Sequence, residues 1–214
     1  MKGSSAKETI LKKIRQALAN PVPVPFLQSE GATSVFQPET KELDVEFAEN
    51  LTGLLGRFSY CSDRNELNEQ LLKLFNAKKI GSVYCREPQL SDPLTTTGYK
   101  GINATNLADC DAGLTSCELL IARTGSIIMS SAQLSGRTVS VYAPIHICVA
   151  YTNQLVYDIK EGLQFLLKKY TGKLPSLITM ASGPSRTADI EKTLVVGVHG
   201  PKEVYVFLVE GDCP

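Results

Sequence analysis

Residues 57–85 read RFSYCSDRNELNEQLLKLFNAKKIGSVYC, and the changes of hydrophobic period within them decide the fold class. Arg57 to Cys61 alternates like a strand. Ser62 is placed to cap a helix whose buried face is Leu67, Leu71, Leu74 and Phe75. Ile80 to Cys85 then returns to a short apolar strand. Strand and helix alternating in this way are the signature of a layered α/β domain, a sheet with flanking helices.

Upstream of this stretch, Leu43, Phe47, Leu51 and Leu54 mark another helix that ends at Gly56. At the amino end, Ser5-Ala6-Lys7-Glu8 has the spacing of a capping box, and Ile10, Leu11, Ile14 and Leu18 recur on one helical face up to about Asn20. Pro21, Pro23 and Pro25 stop that helix, and the chain through Gln37-Pro38 is too poor in periodic apolar residues to be more than an extended linker. The expected organisation is therefore a helical arm and proline-rich linker over residues 1–41, and one α/β domain over residues 42–214.

Downstream, strands are expected at Glu118 to Ala122, Ser126 to Ser130, Thr138 to Tyr142 and Ile145 to Ala150, separated by Gly125, Gly136 and Pro144. A long helix should carry Leu155, Ile159, Leu163, Leu166 and Tyr170. Ser176 to Ala181 and Glu203 to Val209 read as two further strands.

The 214 residues are 43% hydrophobic and 21% charged, which leaves material for a sizeable core. Lysine plus arginine number 22 against 22 aspartate plus glutamate, so no overall field draws the chain to nucleic acid or to membrane. The six cysteines form no CxxC pair and no Cys/His cluster at zinc or iron–sulfur spacing, so no metal and no cofactor is expected. Neither a signal-like apolar stretch nor about 18 uninterrupted apolar residues occurs, which makes the cytoplasm the expected location.

The densest polar segment is Gly183-Pro184-Ser185-Arg186-Thr187-Ala188-Asp189-Ile190-Glu191. It follows an apolar strand, turns on Gly-Pro and is expected to enter a short helix capped by Ser185 or Thr187. A helix N-terminus beyond the carboxyl end of a strand is a seat for a carboxylate or phosphate, which Arg186 could clamp in bidentate fashion. The structural alternative is a plain cap with Arg186 paired to Asp189 or Glu191. Gly197-Val198-His199-Gly200-Pro201 sets a histidine between glycines, either close to a ligand or merely in a turn. His146, in Ala143-Pro144-Ile145-His146-Ile147, reads as a satisfied core residue or as a second catalytic histidine. Were His146, His199 and Arg186 to face one cleft, the site would suit a small 2-oxo or 2-hydroxy acid. Thr124 and Gly125, with Arg123 before them, and Arg137 after Gly136 read as a hairpin turn or as further ligand contacts. Glu118, which opens the preceding strand, reads as an acid/base or, as expected here, as a solvated residue. No GxGxxG, Walker or GxSxG pattern occurs, which disfavours dinucleotide, P-loop and serine-hydrolase chemistry.

Taken in order, Ile121-Ala122-Arg123-Thr124-Gly125-Ser126, Ala143 to Ile147, Gly183 to Glu191 and Gly197 to Pro201 resemble the motif set of the lactate utilisation protein C (LUD) family. The resemblance covers roughly Cys110 to Val209. It implies a sugar-phosphate isomerase and CoA-transferase-like α/β fold and a role in oxidising L-lactate to pyruvate beside iron–sulfur partner proteins, which hold the cluster cysteines. Relatives commonly have an acidic residue where this chain has Arg123, and a second proline where it has Ala143.

Three functions compete: a component of lactate oxidation that binds a small carboxylate or phosphate, a free-standing isomerase or ligase-like enzyme on a phosphorylated or folate-type substrate, and a non-catalytic assembly protein. Catalytic competence and oligomeric state are open at this level. The isolation of the first helix by prolines generates one expectation directly. A chain lacking residues 1–37 should unfold in a single cooperative transition in urea, and a broad or absent transition would make the arm part of the core.

Overall fold

The computed structural model describes residues 6–19, 38–190 and 193–213. Contacts divide the chain into two compact units, Met1–Pro38 and Glu39–Pro214. In the first, helix α1 spans Ala6–Ala19. The capping box expected at Ser5 and the linker expected over residues 20–37 lie outside the described residues.

The second unit starts with helix α2, Leu43–Gly53, then strand β1, Arg57–Cys61, helix α3, Arg64–Lys78, strand β2, Val83–Tyr84, and helix α4, Pro88–Thr96. Strands β3, Ala112–Thr115, β4, Leu119–Ile121, and β5, Ser126–Ser130, lead to the one-turn helix α5, Val139–Tyr142. Strands β6, Ile145–Tyr151, and β7, Leu155–Val156, precede helix α6, Ile159–Lys169. Strands β8, Ile178–Ala181, β9, Arg186–Ile190, β10, Thr193–Val196, and β11, Glu203–Val209, complete the fold.

Five strands form a sheet in the order β1-β11-β6-β3-β2, every neighbouring pair parallel. One face packs on α3 and α4, where Leu67, Leu71, Phe75, Leu90 and Leu94 meet Val83, Leu114, Ile147, Val149 and Phe207. The other face meets a second sheet of four strands, β7-β4-β5-β8, rather than a layer of helices. Cys148, Ala150, Val206 and Leu208 oppose Leu120, Ile127 and Met129 there, with Phe47 and Leu51 of α2 in the same cluster. The outer face of the second sheet carries Leu119, Ile121 and Ile128 against Leu166 of α6. Alternate residues of β4 thus enter different cores, which is why Leu119, Leu120 and Ile121 are all fully buried and the strand reads as continuously apolar.

Local chemistry explains the boundaries. The cap of α3 is Asp63 rather than Ser62: its carboxylate accepts the backbone N–H groups of Asn65 and Glu66 at 2.7 and 2.8 Å. Ser62 instead donates its N–H and hydroxyl to Glu66. At the other end Lys79 takes φ +55° and the N–H of Ile80 reaches Phe75 O at 2.8 Å, a helix stop that consumes the beginning of the expected strand and leaves only Val83–Tyr84.

Three expectations need larger correction. Thr138 to Tyr142 is helical turn rather than strand: Val139 is buried over Gly113, where a Cβ would lie 2.6 Å from its Cγ1, so packing overrides the strand preference of Val139 and Val141. The helix expected from Leu155 begins only at Ile159, because Leu155 and Val156 pair with Leu120 and Ile121, and Asp158 caps the helix by accepting Lys160 N–H at 3.0 Å. Residues 186–190 form strand β9 rather than a helix, in an antiparallel hairpin with β10 that pairs Arg186 with Val196 and Thr187 with Val195. Helix α4 and strand β3 carry no periodic signal long enough to announce them.

Gly125 follows the turn Ala122–Thr124 at φ +57°, and an added Cβ would lie 2.5 Å from the backbone N of Leu51. Gly136 has a similar φ of +68° but opens into space. Gly136→Ala is therefore expected to cost about 1–2 kcal/mol from backbone conformation alone. Gly125→Ala should cost distinctly more, since backbone must move. Equal losses in chemical denaturation would show that the approach of α2 imposes no constraint.

Candidate functional site

Two motif loops meet at the amino ends of β6 and β11. Pro144 O accepts the N–H groups of Lys202, at 2.8 Å, and Glu203, so the chain entering β11 is tied to the chain entering β6. The hairpin of β9 and β10 is closed beside them: Ser185 N–H donates to Pro201 O at 3.0 Å, and Gly197 N–H donates to Ser185 O at 2.9 Å. Glycines make this possible. A Cβ on Gly200 would lie 2.8 Å from the Ser185 Cβ, and Gly197 sits at φ +79° against Lys202.

The loops enclose a groove of about 370 Å³ lined by Val141, Tyr142, Pro144, Val198, His199 and Lys202, with Gly197 and Gly200. Tyr142 is 71% exposed. Among the described residues no carboxylate lines the groove, and the Lys202 ammonium brings a positive charge to it beside the His199 imidazole. An anion with a hydroxyl or oxo group fits that pairing: the cation holds the charge, and the imidazole donates to or accepts from the neighbouring oxygen.

The structure distributes the expected site residues unevenly. His199 lines the groove. Ser185 stands behind Gly200 with its backbone N–H already engaged, so the anion seat expected at a helix start is absent from this segment. Arg186 is exposed and Thr187 half-buried on β9. Asp189 belongs to the same strand, and Glu191 lies outside the described residues. The turn at Gly183 does follow a carboxyl end, that of β8, yet it reaches the amino side of the parallel sheet. Its φ is +79°, and a Cβ there would meet Leu54 O at 2.6 Å, just ahead of β1.

Thr124 accepts the Ser126 hydroxyl at 2.8 Å, and Arg137 donates to the Ser176 hydroxyl. Arg123 pairs through Nε with Asp158 Oδ2 at 2.6 Å. The N–H of Lys160, followed by the Arg123 guanidinium, holds the Asp158 carboxyl below its usual range. Glu118 is not solvated: it is 1% exposed and accepts from Ser130, Lys169 and Tyr170 at 2.5, 2.6 and 2.6 Å. Burial raises its carboxyl, but these hydrogen bonds outweigh it and leave the group below its ordinary value. Among the described residues no cluster of three or more His, Cys, Asp or Glu could hold a metal ion.

Tyr142 and Lys202 are the groove residues that sequence reading missed. Each adjoins a motif, Tyr142 one residue before Ala143 and Lys202 one after Pro201, and that adjacency was the available signal.

His146 does not line the groove. It is fully buried, its Nε2 lies 2.9 Å from the Thr115 hydroxyl, and its Nδ1 has no partner among the described residues. Burial pushes its imidazole down from 6.5 to about 4. As pH falls from 6.5 toward 4, the unfolded chain takes up this proton and the folded chain does not, so stability is lost across that window. The loss attributable to His146 should be on the order of 3 kcal/mol. Urea unfolding of His146→Phe beside the parent isolates it from carboxylates titrating in the same range. Parallel stability–pH curves for the two proteins would remove His146 as a source of acid sensitivity.

Comparison with known proteins gives the same frame. The LUD domain family model matches residues 89–209. Lactate utilization protein C of Deinococcus radiodurans is 36% identical over 50% of this chain and 50% of its own length. The corresponding protein of Shouchella clausii is 35% identical over 64% of this chain and 58% of its own length. The chain thus spans about half the length of the curated relatives it matches. The crystal structure of a DUF162 family protein from Deinococcus radiodurans superposes with a TM-score of 0.59, covering 78% of this chain and 96% of that one, at 22% identity, a likeness of fold. With more than half its length matched by the family model, the chain belongs to the LUD domain family.

Proposed function

We propose that this protein works in lactate utilisation, and that the groove at the amino ends of β6 and β11 takes the small 2-hydroxy or 2-oxo acid of that pathway. The observation carrying this reading is that Lys202 and His199 together line a groove in which no carboxylate stands among the described residues. The names of its relatives, lactate utilization protein C, supply the pathway.

In this reading Lys202 binds the substrate carboxylate, and His199 handles the hydroxyl proton as lactate becomes pyruvate. That conversion releases two electrons and two protons per molecule. Iron–sulfur partner proteins receive the electrons, and this chain supplies binding and orientation. Ser185 and Gly200 shape the wall behind the groove, while Arg186 and Thr187 on the adjoining strand extend the polar surface toward a partner.

Titration calorimetry with lactate and pyruvate, with ribose 5-phosphate as a control, tests the reading. Lys202→Ala is expected to weaken acid binding about tenfold to a hundredfold, the worth of a charge-assisted hydrogen bond. Arg186→Ala should weaken it less, because Arg186 does not line the groove. His199→Gln should bind but fail to support lactate oxidation in a reconstituted system. Binding of the sugar phosphate without either acid, or affinity indifferent to Lys202, would overturn the assignment.

A further inference from the structure

The balanced charge of the whole chain conceals a local excess. Helix α1 carries Lys7, Lys12, Lys13 and Arg15 against Glu8, so it is +3 while the rest of the chain is −3. No residue of this helix is buried. Its large apolar side chains are in water: Ile10 is 57% exposed, Leu11 40%, Ile14 48% and Leu18 71%.

These four residues lie on one face. Ile10, Ile14 and Leu18 follow at four-residue spacing, and Leu11 adjoins Ile14 and Leu18 at three and seven. Lys13 and Arg15 border that stripe on its two sides, and Lys7 stands in line with it at the amino end. Lys13 stands three positions from Ile10, and Arg15 stands four from Leu11 and three from Leu18. Lys12 faces away. Such a helix does not pair favourably with a second copy of itself, since two +3 helices repel. Basic side chains on both borders of an apolar stripe can instead reach outward to phosphates while the aliphatic groups enter the acyl boundary.

We propose that α1 is a surface anchor that lies in the headgroup region of an anionic phospholipid membrane. The helix is 14 residues long, and no helix among the described residues is long and apolar enough to cross a bilayer. With one short apolar face and a modest charge, the association is peripheral, reversible and dependent on salt.

The full chain should float with phosphatidylcholine vesicles that contain phosphatidylglycerol, and not with vesicles of phosphatidylcholine alone. Added salt should release it. Replacing Lys12, Lys13 and Arg15 together by Ala should lower partitioning about a hundredfold, at roughly one kcal/mol per basic residue near the surface. The double variant Ile14→Asp, Leu18→Asp should abolish it. Both sets of positions are exposed, and an unchanged urea transition of the Glu39–Pro214 unit will confirm that folding is intact. Absence of flotation with the anionic vesicles, equal flotation with neutral ones, or binding that survives both variants would overturn the proposal. In the first case α1 would be left as a helix for a protein groove with acidic rims.

Discussion

The structure depends on one apolar contact, the burial of a parallel sheet against a second sheet. Cys148, Ala150, Val206 and Leu208 from one side and Leu120, Ile127 and Met129 from the other exclude water between two sets of strands that run in separate hydrogen-bonded ladders. Two twisted sheets do not close on each other at every edge, and α2 fills the remainder with Phe47 and Leu51, both fully buried. The backbone of that helix then comes so near its neighbours that side chains are excluded at two points. Gly125 faces Leu51 N and Gly183 faces Leu54 O, and both have positive φ. Two glycines that read as parts of ligand-binding motifs are first of all the contacts by which the second sheet admits α2.

What the sequence disclosed, and what it hid, follows from the range of the forces involved. Helix α3 was legible because Leu67, Leu71 and Phe75 repeat with the helix period and all three enter one core. Strands β5, β6 and β11 were legible as apolar runs bounded by glycine and proline. The hairpin of β9 and β10 was misread because Ser185 and Thr187 are equally suited to capping a helix and to a strand. The deciding bonds, Ser185 to Pro201 and Gly197 to Ser185, span more than ten residues, and local pattern contains no trace of them. Glu118 was misjudged for the same reason: its partners Lys169 and Tyr170 lie some fifty residues away, at the far end of α6. Of the candidate site, His199 was legible as a histidine between glycines, whereas Tyr142 and Lys202 became visible only when two loops distant in sequence met.

Helix α6 is fastened by charge at both ends. At its start Asp158 caps the first turn and pairs with Arg123, and at its finish Lys169 and Tyr170 reach Glu118. The Glu118 arrangement brings three donors to one buried carboxylate, which offsets the cost of removing it from water. Removing a single partner would leave a buried charge short of donors, so these contacts hold the outer helix in register with β4 more than they add net stability. Arg123 belongs to the same system. Its carboxylate partner is supplied by the cap of α6, which follows β7, the strand paired with β4.

The groove lies at the amino ends of the parallel strands, whereas open α/β sheets ordinarily bind ligands beyond the carboxyl ends. The second sheet offers a physical reason. The crossovers that leave the carboxyl ends of β1 and β3 lead into Asp63 and α3 on one side and into Ser116 and β4 on the other, and buried Glu87 accepts the Ser116 N–H there, so that end is occupied by caps and by entry into the second layer. At the opposite end the hairpin of β9 and β10 stands away from both sheets and returns through Gly197 and Gly200, leaving space beside Tyr142. Diverting the chain into a second sheet therefore consumes the usual site and opens another, lined among the described residues by the Lys202 ammonium and the His199 imidazole of the loop that leads into β11.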